Sequence, residues 1–162
     1  MGVGIKAGSV IDEIGTSEFL HAFFSTISRH LEPKGWGARF PELLKELYQG
    51  KLPAEHVGKA LSDLLVIQKE LARFAPSKVV WDIEKPSARP PWGDNISKHI
   101  TSLANYFVTS MGRDLFEVLI ECLEDAHNNN EPVTIESTNS FVGGNEGSVT
   151  YESKVNQRGL VE

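Results

Sequence analysis

The stretch Asp114-Leu115-Phe116-Glu117-Val118-Leu119-Ile120-Glu121-Cys122-Leu123-Glu124-Asp125-Ala126-His127 is followed by Asn128-Asn129-Asn130, Pro132 and then Val133-Thr134-Ile135-Glu136. Leu115, Leu119 and Cys122, flanked by Phe116, Val118 and Leu123, recur at helical spacing, and Asp114, Glu117, Glu121, Glu124 and Asp125 fall broadly opposite them. That periodicity predicts an amphipathic helix from about 114 to 127, stopped by the asparagines and Pro132. The β-branched run after it predicts a strand. A helix leading into a strand, in a chain whose other periodic segments are mainly helical, gives an α+β class.

Working outward, Val3-Gly4-Ile5-Lys6 alternates between glycines and reads as a strand. Thr16-Ser17 offers hydroxyl N-caps to a helix over about 17–31, in which Phe19, Leu20, Phe23, Phe24, Ile27 and Leu31 share a face until Pro33 and Gly35 stop it. Pro41 opens a short second helix ended by Gly50, and Pro53 opens a third that ends before Pro76, with Glu55 and Lys59 spaced as an i,i+4 pair. The alternation and β-branched content of Val79 to Glu84 predict a strand closed by Pro86. Lys85 to Gly93, with three prolines, predicts a constrained loop with Trp92 at a turn. Asp94 or Asn95 is placed to cap another helix reaching about Val108. The expectation is a mostly helical single domain over 1–138, with a small sheet built from sequence-distant strands. Residues 139–162 then form a turn-rich C-terminal extension, with one strand at Ser148 to Glu152 and a mobile tail.

At 162 residues the chain is too short for two sizeable domains, yet long enough to bury roughly two-thirds of its unfolded surface without a metal or a disulfide. A single cysteine, Cys122, excludes an internal disulfide and a thiolate zinc cluster and suits a reducing compartment, so a cytoplasmic location is expected. No apolar run approaches a membrane span or the core of a signal peptide. The formal charge of -6 argues against general nucleic-acid binding, which needs a positive surface. That charge is unevenly placed. From Asp114 to Ser153 there is no Lys or Arg against nine acids, whereas residues 1–113 carry a small positive excess. Such a one-sided field can steer a basic partner, although a plain solvated face has the same signature.

Catalytic chemistry has little support in the pattern. The five histidines, at 21, 30, 56, 99 and 127, make no HxH or HxxxH spacing, and no metal site is expected. No nucleotide-binding glycine motif occurs, so no cofactor is implied. His21, Ser25 and Ser28 share a helical face, but a mid-helix serine has no spare backbone donors for an oxyanion. Cys122 sits among apolar residues and acids, which raise a thiol's pKa rather than activate it. Asp12-Glu13, Asp82 and Glu84 are the remaining carboxylates for acid/base work, Asp82 and Glu84 being expected on one strand face. Trp36 in Gly35-Trp36-Gly37 and Trp92 in Pro91-Trp92-Gly93 read either as buried loop pins or as partner anchors. The acidic stripe is more telling. Like charges at Glu117/Glu121 and Glu121/Asp125 cost an isolated helix a few tenths of a kcal/mol each, with no Lys between them. Stability alone does not select that pattern, which favours Asp114, Glu117, Glu121, Glu124 and Asp125 as a binding surface.

Several longer motifs carry a family resemblance. Gly2-Val3-Gly4-Ile5-Lys6, Phe23-Phe24-Ser25-Thr26-Ile27-Ser28, Gly35-Trp36-Gly37, Glu46-Leu47-Tyr48-Gln49-Gly50, Pro90-Pro91-Trp92-Gly93, Tyr106-Phe107-Val108-Thr109-Ser110 and Gly112-Arg113-Asp114-Leu115-Phe116 resemble the immunity protein 70 family of bacterial polymorphic toxin systems. The likeness covers about residues 1–125, and the two Trp-Gly segments are its most distinctive parts. It implies a small cytoplasmic protein that is not an enzyme and that neutralises the toxic C-terminal domain of a cognate toxin by binding it. Many such toxins are nucleases with basic clefts, which an acidic inhibitor can occlude. Two other classes compete: a hydrolase whose carboxylates Asp12, Asp82 and Glu84 converge in the fold, and a general adaptor without toxin involvement.

Overall fold

A computed structural model describes residues 2–138. Strand β1 (Gly2–Ala7) turns through Gly8 and Ser9 into β2 (Val10–Thr16), and Gly8 takes a φ of 61° at the place where two-residue hairpins favour glycine. The ladder shifts register between Val3 and Gly4. An added Cβ at Gly4 would stand 2.9 Å from the Asp12 carbonyl oxygen, so this close backbone approach requires glycine. Helix α1 (Ser17–Leu31) starts at Thr16, whose hydroxyl accepts the Phe19 N–H at 3.1 Å. A π-helical segment (Glu42–Leu47), a two-residue β3 (Lys51–Leu52) and a 3₁₀ turn (Ala54–His56) lead into α2 (Val57–Leu71). Helix α3 (Leu115–Asn129) ends where Asn130 adopts a left-handed φ of 55°, and β4 (Val133–Ser137) follows.

The four strands form one antiparallel sheet in the order β2-β1-β4-β3, assembled from the two ends of the described chain and a short middle piece. The expected α+β class with a small sheet of sequence-distant strands is what the molecule adopts. Its core is a single cluster in which Phe23 meets Phe24, Phe107 and Phe116 edge-on at 5.2 to 5.4 Å between ring centres. Burying such rings relative to water contributes about 2 to 3 kcal/mol each. Glu32, 3% exposed, holds the loop after α1 by accepting the N–H groups of Gly37, Arg39 and Phe40. Arg39 then forks onto both oxygens of Glu70 at 2.8 and 2.9 Å, tying that loop to α2.

Two expected elements are absent. Val79 to Glu84 is not a strand: it crosses α1, where Thr26 Oγ1 accepts the Val80 N–H at 3.0 Å and donates to the Val80 carbonyl at 3.2 Å. The Ile83 N–H goes to Ser25 Oγ at 3.2 Å. Buried hydroxyls of a helix take the amide bonds that a partner strand would have taken. The expected helix from Asp94 or Asn95 to Val108 is a series of turns. There Asn105 Oδ1 accepts the N–H groups of Thr101 and Ser102, Ser97 takes that of His99 and Ser102 that of Ala104. Such local side-chain bonds compete directly with a helical ladder. The expected Glu55 and Lys59 pair does not form either, because Lys59 reaches Asp63 at 2.7 Å and Glu42 at 3.5 Å. Strands β2 and β3 are additional to the strands that the spacing predicts. The expected strand at 148–152 and the tail lie outside the described residues.

Candidate functional site

Helix α3 buries Leu115, Phe116, Val118, Leu119, Cys122, Leu123 and Ala126 and presents Glu117, Glu121, Glu124 and Asp125 to solvent. The acids therefore stand together on one exposed face, with the Glu117 and Glu121 side chains 65% and 56% exposed. The stripe is not without a counter-charge. Arg113, just before the helix, reaches Glu121 at 2.8 Å and Glu117 at 3.8 Å, so the like-charge cost read from spacing alone is partly relieved. Glu124 and Asp125 have no such partner among the described residues.

Asp114 stands apart from the stripe. It occupies the N-cap position, half-buried, with Oδ1 buried and unpartnered among the described residues. Burial raises its pKa, the charge of Glu117 adds to that, and the amide groups of Phe116 and Glu117 pull the other way. Cys122 is buried, and desolvation, with Asp12 and Asp125 nearby, pushes its thiol up to about 12. Its place is in the core.

A second feature lies between α1 and the segment that joins α2 to α3. Ile14, Phe19, Trp81, Trp92, Ile100 and Val108 line an open, mainly apolar groove of about 600 Å³. Trp92 is half-buried and its Nε1–H donates to the Tyr106 hydroxyl at 2.8 Å, with Trp81 edge-on at 5.4 Å. Burial raises the Tyr106 pKa, the Trp92 hydrogen bond opposing. At its far end the groove runs to Gly112, next to Arg113 and the acidic stripe. Trp36 lies elsewhere, half-buried, donating to the Leu44 carbonyl at 2.8 Å and packed on Tyr48 and His21. It pins its loop, while Trp92 both pins and lines an opening.

Trp81 also walls a smaller notch of about 240 Å³, shared with Glu18, His21, Tyr48 and Asp82. Here His21 Nε2 lies 3.2 Å from Asp82 Oδ1, and His21 Nδ1 lies 2.9 Å from the Tyr48 hydroxyl. His21 thus links Tyr48 to Asp82 through its two ring nitrogens, and this relay fixes all three side chains. The Glu84 N–H and then His21 hold the Asp82 carboxyl below its ordinary range. Burial, with Glu84 and Asp82 adding to it, raises Tyr48. Sequence reasoning paired His21 with Ser25 and Ser28 instead. Both serines are buried, and Ser25 is spent on the Ile83 amide. No spacing in the sequence joins His21 to Tyr48 or Asp82, which lie 27 and 61 positions away.

Asp82 and Glu84 do not share a strand face, because no strand forms there. Asp12, on β2, acts on Arg113 and Cys122, whereas Asp82 and Glu84 both act on Tyr48, so Asp12 belongs to separate surroundings from the other two carboxylates considered for hydrolysis. Of the other histidines, His30 bonds the Lys78 carbonyl, His56 pairs with Glu46, and His127 packs against Gly58. Among the described residues no three His, Cys, Asp or Glu side chains gather as a metal site, and no helix is long and apolar enough to cross a membrane. A family model described as Immunity protein 70 matches residues 5–135, from β1 into β4. No curated protein and no solved structure matches the chain.

Proposed function

Because this chain belongs to the immunity protein 70 family, we propose that it neutralises the toxic C-terminal domain of a cognate bacterial toxin by stoichiometric binding, inside the cell that makes both. The observation that carries this reading is the exposed row Glu117, Glu121, Glu124 and Asp125, which has Arg113 as its counter-charge and otherwise faces solvent. An acidic face of this kind attracts and orients a basic surface, such as the substrate cleft of a nuclease. Asp114 stands at the N-cap position of the same helix, Trp92 contributes an aromatic edge beyond it, and Trp36 keeps its loop in place. The protein acts as a binder and not as a catalyst. In support, Asp12 stands in surroundings separate from those of Asp82, and in the His21–Asp82 contact both imidazole nitrogens are occupied.

Changing Glu117, Glu121 and Glu124 together to Lys tests the surface. Association with the toxin domain should slow and lose its salt sensitivity, while the thermal midpoint stays nearly unchanged, because exposed ion pairs contribute at most about 1 kcal/mol. Unaltered association kinetics would remove this face from the account.

A further inference from the structure

The groove and the notch meet at Trp81 and differ in chemistry. In the groove, Ser110 is 4% exposed and its hydroxyl has no hydrogen-bond partner among the described residues. The Tyr106 hydroxyl, on the same wall, accepts from Trp92 and keeps its own proton to give. A buried, unpaired hydroxyl has given up its hydrogen bonds to water and regained none. An apolar groove ending in such groups is complementary to an apolar side chain with a hydrogen-bonding tip. In the notch, Asp82 Oδ1 takes both the His21 contact and the Glu84 N–H, and Oδ2 accepts nothing among the described residues. Glu18 lines the same notch, with the aromatic side chains of Trp81 and Tyr48. Lys85 also acts on Asp82, but less than the Glu84 amide and His21 do. A free carboxylate oxygen beside aromatic side chains suits a guanidinium, which can bond the oxygen and pack against a ring together.

We infer that the groove and notch form one bipartite docking site for a segment of the toxin, taking a tyrosine-like side chain against Trp81, Trp92 and Ser110 and a neighbouring arginine against Asp82. The inference rests on the toxin-binding reading but not on the acidic face of α3. The walls are set before binding: the His21 relay fixes Asp82 and Tyr48, and the Tyr106 bond fixes Trp92. Little side-chain freedom is therefore lost on docking.

The test is calorimetric binding of the catalytically disabled toxin C-terminal domain to wild type and to three single variants. Ser110→Ala should leave the thermal midpoint unchanged or slightly raised, because it removes an unsatisfied buried hydroxyl, yet weaken binding about fivefold. Asp82→Asn keeps an acceptor for His21 and should weaken binding about tenfold or more. Asn95→Trp, at an exposed lining position, should obstruct the groove where Asn95→Ala does not. Wild-type binding with all three variants within twofold of it overturns this site and leaves the toxin-binding reading standing. Failure of the wild type to bind overturns both.

Discussion

The body made of the sheet, α1, α2 and α3 and the segment from Ala72 to Asp114 are held together in opposite ways. The first is ordered by periodicity: ladders pair β1 with β2 and β4, and apolar stripes close on one another around Phe23. The second contains one 3₁₀ turn (Pro76–Lys78) and a single bridge between Val108 and Asp114, and it is stitched down by side chains from elsewhere and by its own serines and Asn105. Regular elements satisfy their backbone internally and can be positioned by burial alone. An irregular segment borrows its partners, so its shape depends on residues far away in the chain. The groove is built where the two regions meet, with Ile14 and Phe19 from one and Trp81, Trp92 and Tyr106 from the other.

The strongest way to break that contrast is Phe23→Ala. Phe23 touches Phe107 of the segment as well as Phe24 and Phe116, so a cavity there should cost about 4 kcal/mol and loosen both regions in one transition, read by denaturant unfolding with two probes. Two separated transitions would show that the regions are independent. Thr26→Val sharpens the contrast instead. It leaves the Val80 N–H and carbonyl without their hydroxyl partner and should cost about 2 kcal/mol. Hydrogen exchange should then speed up at Val80 and Ile83 while the amides of α1 keep their protection.

The smallest effect lies at Asp114, where the two regions join. Burial, with the Glu117 charge adding, raises the Asp114 carboxyl above its ordinary value, so the folded protein holds that proton more tightly than the unfolded chain does. The ionised group therefore subtracts from stability at neutral pH. The penalty fades as pH falls through the raised folded value and is gone below the unfolded one. Asp114→Asn, an equally good N-cap residue, should stabilise by less than about 1 kcal/mol at pH 7 and by nothing near pH 2. A gain that grows on acidification would contradict the sign.

These regions also differ in how far the sequence discloses them. Helices α1 and α3 and the strands at Val3 and Val133 were legible because spacing, Thr16 as a cap and Asn128 to Asn130 as a stop agree with one another. Strand β2 escaped because Asp12 and Glu13 draw attention as carboxylates and only Ile14 and Gly15 in it are buried. Val79 to Glu84 misled because β-propensity says that a residue fits a pleated surface and nothing about whether a partner strand exists. The acidic face was readable from charge spacing, although Arg113 as its counter-charge was not. The notch could not be read at all, since it joins residues 27 and 61 positions apart.

The proposed role requires that this chain bind a toxin through charge. Calorimetry between the wild-type protein and the disabled C-terminal domain of the toxin encoded immediately upstream, at low and at raised salt, tests that most directly. Tight one-to-one binding that weakens as salt increases is the predicted result. No binding to that domain would contradict the immunity role, and tight binding indifferent to salt would contradict the acidic surface.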